Sequence, residues 1–315
     1  MNILTITNMW PSEASPWLGT FVKQQVSSIK ETGIDNEVIN IRSKKSGGNN
    51  FSYIIAFFKI FIIAFRSKYQ IIHLQHWICW LLCSGIFWKK KVYTVHEGEF
   101  FLGGYRKFFI SLAIKYCDAV IFVNHKMYQI YKKKYPSKLI RFIPCGVDTK
   151  AFSPQNSTKA KKHLSLDSNS RYLFFPASPN RLEKNAQLLQ QWDEELNDKR
   201  YKILWGGSIS YQDMPHYMNA CDVLITLSHY ESDGMVVKES LACGKPVIST
   251  DVGNSRRYIS SSNKGKIIEP NLSALNQAIN QIPTQNTVAS LLESEYKLNC
   301  TAEKVVHLYR EVLIK

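Results

Sequence analysis

Residues 222–250 read DVLITLSHYESDGMVVKESLACGKPVIST. An apolar run too short for a helix leads into a polar loop with one glycine. A helix-compatible run, MVVKESLACG, follows, and then a second short apolar run, PVIST. Strand, loop, helix and strand in that order make a β-α-β unit of a parallel sheet, whose ligands gather at the carboxyl ends of the strands. Glu231 falls in such a loop, and Glu239 lies about one and a half turns into the helix. Gly234 between them permits a tight turn or a close approach of backbone to a ligand. The N–H groups opening the helix, from Met235 and Val236 onward, suit an anion. A carboxylate at 239 is placed to accept bonds from sugar hydroxyls. Taken alone, the spacing is also that of a surface loop with two solvated acids.

The same alternation extends in both directions. Before the stretch come NILTIT, EVINI, IIHL, KVYTV, AVIFV and LIRFI, with helical patterns near 20–31, 51–66, 77–87, 103–116 and 125–134. The alternation stops in IPCGVDTKAFSPQNSTKAKK, then resumes with YLFFPAS, YKILWGG, the two strands above and GKIIEP. The expected class is α/β, with two Rossmann-like domains facing a central cleft. Residues 1–155 form the first domain, 156–300 the second, and 301–315 a closing helix returning toward the first.

Composition narrows the partners. Residues 1–150 hold 21 Lys/Arg against 8 Asp/Glu, and residues 151–315 hold 19 against 17, so a net charge of +15 is concentrated in the first half. That asymmetry points to an anionic partner, either nucleic acid or an acidic membrane surface, or to a solvated basic face. Seven cysteines without a C-x-x-C pair read as reduced thiols of a cytosolic protein, and MNILTITNMW reads as a first strand, not as a signal peptide. FSYIIAFFKIFIIAF (51–65) is too short to span a bilayer. It reads as a buried helix, with an interfacial one flanked by Arg66, Lys68 and Lys89–Lys91 as the alternative; burial is expected for the helix as a whole.

Other residues at strand ends complete the candidate site. Arg181 and Lys184 follow the first strand of the second half in FFPASPNRLEKN, where two cations three apart can neutralise a diphosphate or serve as ordinary surface charge. Gly19 precedes the first helix. Among His73, His76 and His96, each at a strand end, His96 before Glu97-Gly98 is the better cleft residue; H-x-x-H without further ligands is a poor metal signature.

In this order and spacing the segments resemble the GT-B glycosyltransferases, specifically the large retaining family 4 group. HYESDGMVVKESLACGKPVISTDVG is similar to that family's S-x-x-E-G-x-G-x-x-x-x-E-A-x-A-C-G-x-P-V block, and IPCGVDTKAFSP to its interdomain segment. PNRLEKN resembles its diphosphate-binding element, and TAEKVVHLYREV its closing helix. The resemblance implies that Glu239 holds the ribose of a nucleotide sugar and that Glu231 and His96 border the donor sugar. It implies backbone contacts from Gly234, Met235 and Val236, diphosphate neutralisation by Arg181 and Lys184, and a place for Gly19 near phosphates and acceptor. It further implies a UDP- or GDP-linked donor, retention of configuration and no metal or other cofactor. The charge asymmetry and the 51–65 segment favour a polyprenyl-linked or other lipid-linked saccharide as acceptor, as in bacterial surface polysaccharide assembly. The enzyme would be cytoplasmic and peripheral on the anionic inner face of the cell membrane. Cys145, Ser240, Ser232-Asp233 and the Arg256-Arg257 pair depart from the family pattern. Two other readings remain: a non-hydrolysing nucleotide-sugar epimerase of the same architecture, and a basic nucleic-acid-binding protein. Against the latter, the chain lacks helix-turn-helix spacing, zinc spacing and aromatic-basic interleaving, so no nucleic-acid partner is expected.

Overall fold

The computed structural model describes residues 1–13, 15–42, 47–49, 51–65, 68–96, 104–196, 200–260, 264–281 and 289–314. Arg66 and Glu97-Gly98, named above beside the apolar helix and His96, lie outside them. The chain forms two compact units, Met1–Gly146 with Leu298–Lys315, and Val147–Lys297. The first division thus falls nine residues before the expected 155. Val147 already belongs to the second unit, donating its N–H to the Tyr296 carbonyl at 2.9 Å and packing in that unit's core.

Unit 1 is built on β1 (Asn2–Thr7), β2 (Asp35–Asn40), β3 (Ile71–Leu74), β4 (Lys90–Val95), β5 (Ala119–Phe122) and β6 (Leu139–Phe142). All pair in parallel, in the order β2-β1-β3-β4-β5-β6. Alternate strand residues face opposite sides, so each strand feeds two cores. Ile72, Leu74, Tyr93, Val120 and Phe122 pack with α2 (Phe51–Phe65), α3 (Trp77–Leu82), α4 (Gly104–Tyr116) and α5 (His125–Lys134). Ile3, Ile71, Val92 and Ile121 pack with α1 (Thr20–Glu31) and the C-terminal helix Leu298–Ile314. The α1 helix turns Val22, Val26 and Ile29 inward at the spacing an amphipathic helix requires. Asn124 caps α5 by accepting from the Met127 N–H at 3.0 Å. The α3 helix is shorter than its apolar run. It ends at Leu82, where Ser84 turns its hydroxyl onto the Leu81 carbonyl at 2.8 Å ahead of Gly85.

The α2 helix corrects the expectation of burial. Ala56, Ile60, Ile63 and Ala64 are buried, whereas eight large apolar side chains of its 15 residues are exposed.

Unit 2 carries β7 (Arg171–Phe175), β8 (Tyr201–Trp205), β9 (Val223–Thr226), β10 (Val247–Thr250) and β11 (Gly265–Ile268), again all parallel, in the order β11-β10-β9-β7-β8. Its helices are α6 (Ser157–His163), α7 (Ala186–Leu196), α8 (Met214–Ala220), α9 (Met235–Ala242), α10 (Ser255–Tyr258) and α11 (Leu272–Asn280). Trp192 and Leu189 of α7 and Leu275 and Ile279 of α11 cover one face of the sheet. Met218 of α8, Val237 and Leu241 of α9 and Tyr258 of α10 cover the other. The order of strand addition reverses at β7, with β8 on one side of it and β9, β10 and β11 on the other. Such a switch point opens a crevice at the carboxyl ends of the strands.

Candidate functional site

A pocket of about 120 Å³ lies at that switch point. Phe175, Pro176 and Ala177 at the end of β7 form one wall, and Thr226 and Ser228 at the end of β9 another. Arg181, Lys184, Glu231 and Val236 also line it, so four of the residues singled out in the sequence converge.

Local chemistry explains the placement. After β7 the chain turns through Pro176–Asn180 into a short 3-10 turn, Leu182–Lys184, closed by Asn185 in the left-handed conformation at φ 54°. This turn directs Lys184 to the Glu231 carboxylate, with which it forms an ion pair. Ser228 donates a second bond to Glu231 at 2.9 Å, and the Ser228 carbonyl accepts from the Thr250 hydroxyl at 2.7 Å. Arg181 is more exposed and pairs with Glu183 at 2.6 Å. Cation, carboxylate and hydroxyls therefore line the pocket, with the ends of β9 and β10 bracing the carboxylate.

Gly234 is the residue before α9, at φ 89°, a left-handed conformation in which a side chain is strained. A Cβ there would meet nothing closer than the Ser255 hydroxyl at 3.7 Å, so backbone conformation selects the glycine, not crowding. The helix stops at Cys243. Gly244, also left-handed, donates to the Leu241 carbonyl at 3.0 Å, and Lys245 donates to the Ser240 carbonyl at the same distance. The ACGKP sequence is thus a helix terminator.

Val236 and Glu239, three residues apart, share a face of α9. Glu239 is buried, and its carboxylate accepts no hydrogen bond from any described residue. Burial raises its pKa to about 7, opposed only in part by the charge of Lys238. Nearby, the buried Ser255 hydroxyl also has no partner among the described residues. A carboxylate without a bond and a buried hydroxyl without a partner are suited to a ligand with polar groups of its own.

The neighbouring acid is the reverse case. Asp233 is buried and fully engaged: Lys238 donates to it at 2.7 Å, Asn254 at 2.8 Å, and the Tyr258 hydroxyl adds a short bond. Lys238 is itself wholly buried against the Tyr258 ring. This cluster ties the Gly234 turn to α10. Sequence reading missed it, treating Asp233 only as a departure from pattern. Its one local signal was Asp233 and Lys238 at a five-residue spacing.

Gly19 and His96 belong to unit 1. Gly19 precedes α1 at φ 68°, and a Cβ would lie 2.3 Å from the Met9 carbonyl, so the chain's own backbone requires glycine there. Phe21, in the next turn, stacks 4.8 Å from the His96 ring. His96 shares its Nε2 proton with Gln75 Oε1 at 2.7 Å, and Gln75 donates to Gln25 at 2.9 Å. Behind them His73 is buried, its pKa lowered to about 3 by desolvation and by His96. The Tyr309 hydroxyl of the C-terminal helix shares a hydrogen bond with His73 Nδ1 at 2.6 Å, and Nε2 shares one with the Thr94 hydroxyl at 2.7 Å. His76 caps α3, accepting from the Ile78 N–H at 3.3 Å. Among the described residues no group of His, Cys, Asp and Glu forms a metal cluster, and none of the seven cysteines, six of them buried, is in a disulfide.

Two family sequence models match. "Glycosyltransferase Family 4" covers residues 24–151, and "Glycosyl transferases group 1" covers residues 181–297. The chain is 28% identical over 161 residues to the D-inositol 3-phosphate glycosyltransferase of Pseudarthrobacter chlorophenolicus, covering 41% of this chain and 38% of that protein. It is 22% identical over 240 residues to the N-acetyl-alpha-D-glucosaminyl L-malate synthase of Bacillus anthracis, covering 66% and 63%. These matches span less than two thirds of the length of either relative. Among solved structures, sucrose-phosphate synthase from Thermosynechococcus elongatus superimposes with a TM-score of 0.76 at 17% identity, over 100% of this chain and 99% of that one. Anabaena HepE, solved in complex with UDP and glucose, superimposes with a TM-score of 0.70 at 16% identity, over 99% and 100%.

Proposed function

The chain belongs to the group 1 glycosyltransferases of the GT-B fold, and we propose that it transfers a glycosyl residue from a UDP- or GDP-linked sugar to a saccharide hydroxyl with retention of configuration. The observation that carries this reading is the buried, unbonded Glu239 carboxylate on the α9 face that also presents Val236 to the cationic pocket. In this reading the ribose hydroxyls donate to Glu239, and the diphosphate lies against Arg181, Lys184 and the N–H groups of Met235 and Val236. Glu231 and the Gly234 turn border the sugar.

The reaction breaks the bond between the anomeric carbon and the phosphate oxygen, and the electron pair leaves with the nucleoside diphosphate. Lys184 and Arg181 stabilise that growing charge. The acceptor oxygen bonds to the anomeric carbon on the face the phosphate leaves, and its proton passes to the departing phosphate oxygen. No bond to the enzyme forms, and no metal or cofactor takes part. The acceptor proposed is a lipid-linked saccharide of bacterial surface polysaccharide assembly, met at the inner face of the cell membrane. The unit 1 charge of 23 Lys/Arg against 9 Asp/Glu supports this setting.

A thermal-shift panel of nucleotide sugars tests the reading. One donor should raise the unfolding temperature in the wild type and fail to do so in Glu239→Ala. No shift with any nucleotide sugar removes the proposal. Epimerised sugar formed without an acceptor would replace it with the epimerase.

A further inference from the structure

Apart from the exposed Lys59, the outward side of α2 is apolar along its full length. Phe51, Ile54, Ile55, Phe58, Ile62 and Phe65 recur at three- and four-residue steps opposite the buried Ala56, Ile60, Ile63 and Ala64. A helix at the surface of a soluble domain normally shows charge there. Here Phe58, Ile55 and Ile62 are 61–67% exposed. The patch also extends beyond the helix. Phe57, Phe61 and Phe65 form a ladder of rings 5.5–6.4 Å apart that continues through Trp88, 5.2 Å from Phe65, to Phe87, which is 85% exposed. Trp88 is fixed to the helix end by its indole N–H on the Ala64 carbonyl at 3.4 Å. On the same side of the sheet, α4 exposes Tyr105, Phe108 and Tyr116 beside Arg106, Lys107 and Lys115.

Charge identifies the occupant. Residues 51–96 contain six Lys/Arg and no Asp or Glu. Although Lys68 and Lys90 pair with Glu37 and Asp118 and Lys91 is buried, Lys59 and the α4 cations Arg106, Lys107 and Lys115 leave this side basic. A second copy of the chain on this face would set that basic surface against itself, which opposes self-association. An anionic bilayer meets both halves of the surface, acyl chains receiving the rings and headgroups the lysines. At about 22 Å for 15 residues, α2 is too short to cross a hydrocarbon core of about 30 Å, and no helix among the described residues is long and apolar enough to cross. We infer that unit 1 docks on an anionic lipid surface, with α2 lying in the interface plane, Phe58, Ile55 and Ile62 inserted among the acyl chains, and Phe87 and Trp88 extending the contact at one end. This inference sharpens the membrane setting proposed above but stands on the exposed face of unit 1, independently of the transfer reaction.

Vesicle flotation with the full chain tests it, using phosphatidylcholine alone and phosphatidylcholine with phosphatidylglycerol. The wild type should float with the anionic vesicles, and added salt should weaken binding. The triple variant Ile55→Ser/Phe58→Ser/Ile62→Ser should keep its unfolding temperature and nucleotide-sugar affinity and bind vesicles about 100-fold more weakly. Lys59→Gln and Lys107→Gln should each lower affinity for anionic vesicles about fivefold while leaving the hydrophobic contact. Wild-type protein that stays unbound with both vesicles overturns the inference, as does a triple variant that binds equally well. A wild-type dimer that the triple variant dissolves, without vesicle binding, assigns the face to a second copy instead. Loss of vesicle binding with intact donor binding leaves the transferase reading untouched, so the two can fail separately.

Discussion

The two units bury polar groups to opposite ends. In unit 1 the buried polar side chains satisfy one another in two sets, Thr94 and Tyr309 on His73, and His96 and Gln25 on Gln75. In unit 2, Glu239 is buried with no such bond, although the adjacent Lys238 is fully paired with Asp233. A buried polar group in a stable protein finds a partner, within the chain or in a ligand. The wired network of unit 1 therefore reads as framework, and the open carboxylate of unit 2 as a receptor.

The sharpest way to break this contrast is at the paired members of unit 2. Lys238→Ala leaves the Asp233 carboxylate buried with its cation gone and should destabilise unit 2 by about 3–5 kcal/mol, read by denaturant unfolding. Next in size is Lys184→Ala, which removes a charge from the pocket. Turnover should fall about 100- to 1,000-fold with folding retained, and near-native turnover would remove Lys184 from the chemistry. Arg181, exposed and already paired with Glu183, should matter less.

Glu239→Ala should weaken nucleotide binding by roughly 10- to 100-fold, from loss of bonds to a charged acceptor. Its pH dependence is the finer test. The pKa of Glu239 is raised by folding, so its contribution to stability is full below its ordinary range near 4.5 and is lost as pH rises through about 7. Donor hydroxyls favour the ionised form, so nucleotide affinity should rise across the same interval in the wild type and stay flat in Glu239→Gln, measured by calorimetric titration. His73 behaves in the opposite sense. Its pKa is depressed, so its contribution is present above about 6.5 and is lost as pH falls toward about 3. The smallest effect expected is Tyr309→Phe, about 1–3 kcal/mol of unit 1 stability with unchanged nucleotide affinity. A shift in that affinity would show that the network reaches the donor.

Much of the fold was legible because parallel strands buried on both faces are short apolar runs, and all eleven observed strands lie on such runs. The pocket was legible for a related reason: strand ends can be read once the strands are. Other features were not. The outward face of α2 is nearly as apolar as a core helix, so composition could not tell its exposed residues from its buried ones. The bonds from Asn254 and Tyr258 to Asp233 span 21 and 25 positions and carry no local pattern. The boundary at 146 depends on Val147 pairing with Tyr296, a contact 149 residues away.

The return of the last helix to unit 1 has a consequence for how the molecule is made. Ala302, Val305, Leu308 and Tyr309 cover one face of a sheet whose strands end at Phe142. During synthesis that face stays bare while the whole of unit 2 emerges, so unit 2, closed by Lys297, can complete its core first. A chain cut after Lys297 would therefore keep an intact second unit joined to an unfinished first one, with the His73 ring lacking its phenol.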